Sequence, residues 1–485
     1  MEFRDSGKTI GLYMEESKRI MEGIRIKDIV AVTGGTLLCG DENKEIKEFA
    51  IDSRQGNEDS IFVPIIGERV DAHRFIEGAL KINGATFTQE HDRPLPGCED
   101  KPWVRVEDTV KAMQQVGTFY RNQMKMPVVA VTGSVGKTTT REMIATALSA
   151  GKNVYQTMGN QNSQVGVPLT LSHMTPEHEA AVLEIGMSER GQIETLTRMI
   201  RPNVAVVTVI GVSHIAQLGS RENICEEKMD IVKGLPEDGL VFLNGDDPFL
   251  RPYKNKLDKK VLYYGMSEDC DYRAEDIRDH DGHTAFTFCY REARPELSWR
   301  KLPVILSTMG EHNVRNALAA LGICHQMGVD LEEAAKKLSG FRGQRQQVIR
   351  TGRCTLIDDT YNASPDSMKA AIKVLASFSS RKIAGLADML ELGEKEKEYH
   401  YEVGAFLATQ PVDIVAVYGE LSGEILRGVR ENCQKAGTDI TCVHFDTREE
   451  LSDYLLKTLE PEDVLLLKGS NGMKLKEISL QIQNK

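Results

Sequence analysis

No run of apolar residues in this 485-residue chain approaches the roughly 18 needed to cross a bilayer, which excludes a membrane-spanning helix. A basic excess is also missing. The formal net charge is -12, which argues against a nucleic-acid surface and means that any polyanionic substrate is held locally. CxxC spacing is absent, and the nine cysteines, at 39, 98, 225, 270, 289, 324, 354, 433 and 442, read as reduced, mostly buried thiols of a cytosolic protein. The opening stretch MEFRDSGKTIGLYMEESKRIMEG is charged throughout and has no apolar core of a secretory signal, so it argues against export and reads as a solvated helix or tail. There is no fixed-period repeat and no low-complexity segment. Aromatic residues make up only 6% beside 41% hydrophobic residues overall, an ordinary balance for a soluble α/β protein.

What is present is length and alternation. At 485 residues the chain exceeds one typical domain, and three domains are expected, over 1–124, 125–344 and 345–485. The first part mixes short strands and helices around turns at Gly34-Gly35, Asn83-Gly84 and Pro94 to Gly97, and a basic, Met-rich stretch from Arg121 to Pro127 reads as a hinge. Beyond it, apolar runs rich in β-branched residues (VVAVT, AAVLEIG, NVAVVTVIG, GLVFLNGDD, VLYYG) alternate with helical patterns, which implies a doubly wound, mostly parallel sheet. Residues 271–308 read instead as consecutive strands, an antiparallel extension at one edge. After GFRGQRQQ the alternation restarts with CTLIDDTYN, RKIAGLADM, VDIVAVYG and DVLLLKGSN, a second α/β unit. The charge run from Glu391 to Glu398 reads as a solvated loop or helix start.

The chemistry concentrates in AVTGSVGKTTTREMI, Ala130 to Ile144: an apolar strand, a glycine loop, then a helix. Backbone N–H groups from Thr132, Gly133, Ser134, Val135, Gly136 and Thr139 and the positive end of the helix dipole can hold polyphosphate oxygens there, Lys137 can neutralise charge, and Thr138 can ligate Mg2+. The usual first glycine of such a loop is replaced by Val131. Other polar residues sit at strand ends, and each has a plain alternative. Glu184 can ligate Mg2+ or cap a following helix; His214, in a glycine-flanked loop, can be catalytic or structural. Lys228, on a helix beside Glu226, Glu227 and Asp230, has a surface ion pair as its plain reading. Asn244, Asp246 and Asp247 form a turn, and His312, Asn313 and Asn316 can face a base or cap their helix.

In order and spacing these motifs resemble the Mur ligase family over nearly the whole chain: TGSVGKT, then Glu184-Ile-Gly, then the His214 loop and the Lys228 helix, then His312, Asn313 and Asn316 in HNxxN. The N-terminal stretch with Asp52-Ser53-Arg54 resembles the uridine-nucleotide domain of the muropeptide ligases. GNQNSQVGVPLTL from Gly159, DDTYNASPDSMKAAI from Asp358 and ADMLELGEKEKEYHYEVG from Ala387 resemble the member that adds a D-amino dipeptide. The DNPR-type signature of a diaminopimelate-adding member is absent.

The resemblance implies an N-terminal UDP-muropeptide-binding domain, a central P-loop ATPase and a Rossmann-like C-terminal domain. It implies ATP-dependent joining of D-Ala-D-Ala to the carboxylate of UDP-MurNAc-tripeptide through an acyl phosphate, by a cytoplasmic monomer that contacts neither nucleic acid nor membrane. Lys137, Glu184, His214 and Lys228 would be catalytic, with Thr138 and Glu184 on one Mg2+, His214 on a second, and Lys228 carbamylated by CO2. His312, Asn313, Asn316, Arg345 and Asp359 would complete the ATP site. Ser53, Arg54, Asn160, Asn162, Gln164, Tyr361, Asn362, Asp388, Leu390 and His400 would bind the other substrates.

The pattern is broken at Ala216, Ser163, Asp71-Ala72-His73, Ala387-Asp388-Met389 and Lys468-Gly469-Ser470-Asn471, where the family has HxD, NxNN, DGH, GDM and KGSR. Asparagine cannot supply the charge or fork of an arginine, so the amine acceptor is the open part of this reading. Two other classes remain: a related amide ligase with a different carboxylate or amine, and a non-ligase P-loop switch or binding module.

Overall fold

The computed structural model describes residues 21–280, 282–291 and 298–484. Of the solvated helix or tail expected over residues 1–23, residues 1–20 lie outside the described residues, and Met21 is buried in the core of the first unit rather than solvated. Three α/β units follow one another, each built on its own sheet. The first has strands β1 (Thr36–Cys39), β2 (Glu48–Ala50), β3 (Ser60–Phe62), β4 (Ala85–Thr88) and β5 (Trp103–Arg105), in the order β1-β5-β4-β3-β2. Its parallel strands carry an antiparallel edge at β1.

The central sheet contains β6 (Val128–Thr132), β7 (Val154–Gln156), β8 (Ala180–Glu184), β9 (Val204–Val207), β10 (Leu240–Asn244), β11 (Lys260–Gly265), β12 (Tyr272–His280), β13 (His283–Tyr290) and β14 (Arg300–Leu306). The order is β14-β13-β12-β11-β10-β9-β6-β8-β7, parallel from β7 to β12 and antiparallel through β13 and β14, as the alternation and the helix-free stretch 271–308 imply. The interior strand β6 explains the unbroken apolar runs. Val129 and Val131 of β6 pack on one face with Met143 and Val314, while Val128 and Ala130 pack on the other with Leu171 and Leu196. A strand buried on both faces has no reason to alternate.

The third sheet has β15 (Gln347–Arg350), β16 (Thr355–Asp359), β17 (Lys382–Ala387), β18 (Ile414–Tyr418), β19 (Thr441–Phe445) and β20 (Val464–Lys468), ordered β15-β16-β20-β17-β18-β19. Only β15 runs antiparallel to its neighbour. The edge strands β15 and β19 are additions to the four strands expected here. The charged run after Glu391 is a loop that enters the helix Glu396–Leu407, as expected.

Parallel strands put their carboxyl ends on one side, and this positions the site. Val131 of β6 is in register with Glu184 of β8, and Thr132 with Val207 of β9, so the loop after β6 lies between Glu184 and the His214 segment. The third unit is docked on this edge. Val212 and Met309 of the central unit share a buried cluster with Ile357, Met368 and Leu392, and a Cβ on Gly393 would stand 3.3 Å from Ala216.

The stretch from Arg121 to Pro127 is anchored, which corrects its reading as a hinge. The Arg121 guanidinium is buried and donates to the carbonyls of Met124 (2.9 Å), Ile200 (2.8 Å) and Arg201 (3.3 Å), tying the helix Thr109–Arg121 to the central unit. In the third unit the helices Glu396–Leu407 and Ser422–Ala436 approach so closely that a Cβ on Gly404 would run into the carbonyl oxygen of Ile425, and one on Gly428 into that of Tyr401. Gly404→Ala should therefore lower stability by about 1–3 kcal/mol. Gly423→Ala, in the first turn of the facing helix Ser422–Ala436 with open space around it, should be neutral or stabilising by up to about 1 kcal/mol. Urea midpoints of the two variants check this, and equal midpoints would refute it.

Candidate active site

Between the central and third units lies a cavity of about 780 Å3. Its floor is the loop after β6. Gly133 takes φ 150°, and a Cβ there would run into Oγ1 of Thr208, so the loop folds tightly only because this position is glycine. Thr208 in turn donates from Oγ1 to the Val135 carbonyl at 2.6 Å. Gly136 takes φ 86° and opens the helix Lys137–Leu148. Ser134, Val135, Gly136, Lys137, Thr138 and Thr139 line the cavity, while Thr132 and Gly133 lie just beneath it. Lys137 donates to the Gly133 carbonyl at 2.9 Å. Burial draws its ammonium below the ordinary value, the nearby Arg345 adds to this, and Glu184 opposes it.

Glu184, 1% exposed, ends β8 and faces the same space. Its Oε1 accepts from Asn162 Nδ2 at 2.7 Å, and its backbone N–H donates to Thr157 at 3.0 Å. Its Oε2 is buried with no hydrogen-bond partner, as is Oγ of Ser134. His214 takes φ 64°, which turns its ring toward the cavity from the start of a short helix. Burial, with Lys228 and Lys137 adding positive charge, holds its pKa down at about 4, so the imidazole is neutral at pH 7.

Lys228 overturns its plain reading as a surface ion pair. It is 1% exposed, and its ammonium makes no hydrogen bond or ion pair among the described residues. Its neighbour Glu227 turns the other way and accepts from the backbone N–H groups of Gly191 (2.8 Å) and Ile193 (3.0 Å). Burial, aided by Lys137, pushes the Lys228 pKa well below the ordinary lysine value.

The remaining expected residues divide into three groups. Asn160, Asn162, Gln164, Arg345, Asp359, Tyr361, Asn362 and Leu390 line the cavity, as do His312, Asn313 and Asn316. The Arg345 guanidinium stacks 3.0 Å above the Tyr361 ring, and Asp359 accepts from Lys468 at 2.7 Å across β16 and β20. The helix Glu311–Gln326 spends its amides internally: Asn316 accepts from Thr140 at 2.9 Å and donates to Asn313, which donates to the Met309 carbonyl. Asp388 and His400 stand behind the wall. Asp388 accepts from the N–H of Ser422 at 2.7 Å, and His400, fully buried, accepts from the N–H of Met389 at 2.9 Å, so both shape the loop that presents Leu390. Ser53 and Arg54 belong to the first unit, where Arg54 forks onto Asp52 with contacts of 2.9 and 2.7 Å.

Three contributors escape sequence reading. Gln346, at φ 48°, sets its Oε1 2.8 Å from Nε2 of His312; Thr208 wedges under the loop; Arg141 reaches Glu184 from beneath. Each lies inside a stretch the sequence singles out, Arg141 in AVTGSVGKTTTREMI, Thr208 in NVAVVTVIG and Gln346 in GFRGQRQQ, but nothing in residue type or spacing marks the contact it makes.

The cavity thus offers clustered cations, unfilled anion-holding donors and one carboxylate oxygen free to take a cation. That donor set fits a polyphosphate with a divalent metal. The profiles described as Mur ligase middle domain and Mur ligase, glutamate ligase domain match residues 131–324 and 344–471. The UDP-N-acetylmuramoyl-tripeptide--D-alanyl-D-alanine ligase of Bacillus subtilis is 37% identical over 459 residues, covering 93% of this chain and 97% of that one. Among solved structures, MurF from Acinetobacter baumannii gives a TM-score of 0.85 at 28% identity, over 96% of this chain and 100% of that chain. MurF from Thermotoga maritima in complex with ADP gives 0.79 at 27% identity, over 90% and 97%.

The depressed His214 pKa has a measurable consequence. Its folded value, about 4, lies below the ordinary 6.5, so the unfolded chain takes up the additional proton as pH falls through that interval. His214 therefore costs nothing at neutral pH and destabilises the fold progressively from about pH 6.5 down to 4. Replacing it by Asn should flatten the urea midpoint against pH in that window. An unchanged slope would show that the imidazole titrates normally in the folded protein.

Proposed function

The chain belongs to the Mur ligase family, and from that premise we propose that it joins D-alanyl-D-alanine to the terminal carboxylate of UDP-N-acetylmuramoyl-tripeptide, using ATP, in the synthesis of peptidoglycan precursors. The observation that carries this reading is the convergence of Lys137, Lys228 and the unfilled oxygen of Glu184 on one cavity between two units. The protein works as a cytoplasmic monomer. Its units divide at 1–124, 125–344 and 345–485, and Ser53 and Arg54 in the first hold the uridine nucleotide.

ATP with Mg2+ supplies the phosphoryl group that makes the carboxylate an acyl phosphate and the charge neutralisation that lets two anions meet. The chain's own residues do the positioning. The backbone N–H groups of residues 135–139 and Lys137 hold phosphate oxygens, while that of Ser134 is spent on the Val209 carbonyl at 2.7 Å, so negative charge developing on the transferring group meets fixed donors that need no reorganisation. Thr138 and Glu184 hold one cation, and His214, neutral at pH 7, offers a lone pair to a second. Asn162 keeps Glu184 oriented, and with Asn160 and Gln164 it presents the muropeptide carboxylate. His312, Asn313 and Asn316 pack beside the nucleotide, and Arg345, Asp359, Tyr361 and Asn362 close over it from the third unit. Leu390 forms the dipeptide wall, held from behind by Asp388 and His400. Asn471 on that same wall is the residue by which the acceptor range can differ from that of relatives.

Lys228 is suited to react with CO2. A carbamate forms when the uncharged amine attacks CO2 and releases a proton, and burial, which lowers the pKa of this amine, favours that uncharged form. The product is a carboxylate where the cavity otherwise has an unpaired amine, placed to support the second cation.

ADP formation should require UDP-MurNAc-tripeptide and D-Ala-D-Ala together, as a matrix of UDP-muropeptides and D-amino dipeptides will test. Turnover with another pair alone would favour a related ligase, and nucleotide binding without amide product would favour a switch. Lys137→Ala should cut kcat by roughly 100-fold or more. Lys228→Ala should lose activity to a similar extent, about 100-fold, and regain part of it with short carboxylic acids. An inactive variant indifferent to them would remove the carbamate from this account.

A further inference from the structure

Arg141 sits one turn into the helix that follows the phosphate loop, and its side chain is 2% exposed. It lies between two carboxylates. Nη2 donates to Glu142 Oε1 at 3.0 Å, while Nη1 lies 3.7 Å from Glu184 Oε2, outside hydrogen-bonding range. Nη1 also donates to the Gly159 carbonyl at 3.1 Å, at the start of the loop that carries Asn160 and Asn162. Two capacities are left unfilled in this buried space: Nε of Arg141 and Oε2 of Glu184.

By moving less than 1 Å the guanidinium would bring Nη1 into hydrogen-bonding range of Oε2. It would then occupy the lone pair through which Glu184 holds a cation, and place a positive charge against the metal position. What opposes this move is Glu142. Adjacent residues on a helix do not ordinarily face each other, so their contact is imposed by the surroundings. Glu142 is itself fixed from outside the helix, because its Oε2 accepts from the backbone N–H of Gln344 at 3.4 Å, in the segment that leads to Arg345 and Gln346.

We propose that Arg141 is a positioning residue which Glu142 holds away from Glu184, keeping Oε2 of Glu184 open to a divalent cation. The inference rests on Glu184 being a cation ligand. It also gives the connecting segment a second task. By docking Gln344 on Glu142, the stretch that brings Arg345 to the nucleotide also helps keep the metal carboxylate clear.

Mn2+ binding to the full chain with ADP, followed by the electron paramagnetic resonance of free Mn2+, tests the two ideas separately. Glu142→Gln should weaken Mn2+ binding about tenfold, since the neutral amide no longer competes for the guanidinium. The double variant Glu142→Gln/Arg141→Met should return to within about threefold of the parent, and Arg141→Met alone should bind at least as well as the parent. A purely structural role for Arg141 predicts the opposite, with both Arg141 variants weak. Unchanged binding in Glu142→Gln, or a double variant as weak as the single, overturns the proposal. Glu184→Gln serves as the reference for a lost ligand. If it binds like the parent, the assignment of Glu184 falls and the inference falls with it; if it is weak while Glu142→Gln is not, only the inference falls.

Discussion

Two lysines face one cavity with little counter-charge, Lys228 buried and Lys137 half-buried, and they set the terms for everything around them. A buried ammonium without an anion is costly, and the cost falls either when it loses its proton or when an anion arrives. Lys228 has neither ion pair nor hydrogen bond among the described residues, and Lys137 has only the Gly133 carbonyl. Nearby acids are used elsewhere: Glu227 on two backbone N–H groups, Asp359 on Lys468, one oxygen of Glu184 on Asn162. The fold therefore stores an electrostatic demand that a polyanion with a divalent cation satisfies. That demand is oriented before any ligand binds, which is the arrangement that stabilises a developing charge at least cost.

Holding such a demand requires a rigid frame, and three adjacent strand ends provide it. β8, β6 and β9 are neighbours in the sheet, so Glu184, the phosphate loop and the His214 segment are fixed relative to one another by backbone hydrogen bonds. The tightest point is Gly133 against Thr208, where no other residue fits. The third unit then supplies Arg345, Asp359 and the Leu390 wall from the opposite side. It is anchored apolar-to-apolar through Val212 and Met309, and at Ala216, whose backbone meets the turn at Gly393. Burial holds the His214 imidazole neutral at pH 7, and Lys228 and Lys137 add positive charge to the same effect.

Much of this was legible because parallel sheets write themselves into sequence. A strand buried on both faces is an apolar run, and the polar residue that ends it is the one at the ligand edge; Glu184 and the loop after Val131 are legible that way, whereas Asp359 is legible only through the resemblance of the stretch from Asp358. What stayed hidden depends on contacts across long sequence separations. Lys228 stands among acids and reads as solvated, but the acid beside it is claimed by Gly191 and Ile193, more than thirty residues earlier. Arg121 reads as part of a solvated hinge until the carbonyls of Ile200 and Arg201 arrive from the far side of the sheet. Asp388 and His400 belong to a motif that pointed to the right loop, and the structure shows them shaping it from behind rather than lining it.

The acidic exterior and the cationic cavity belong to one argument. With a net charge of -12 the chain offers an anionic substrate no long-range attraction, and at physiological ionic strength the surface field fades within roughly 8 Å in any case. Capture must then occur inside the cavity, among groups already desolvated, where each cation counts for more than it would on the surface. Selectivity follows from the same economy of charge. A polyanion lacking the metal would meet Glu184 with its free oxygen turned inward, and a metal lacking the polyanion would meet Lys137 and Arg345. Neither is matched alone, and the two together are. On the function proposed above, the cavity would thus favour the metal–polyphosphate complex over its parts, and the surface can stay acidic without weakening the site.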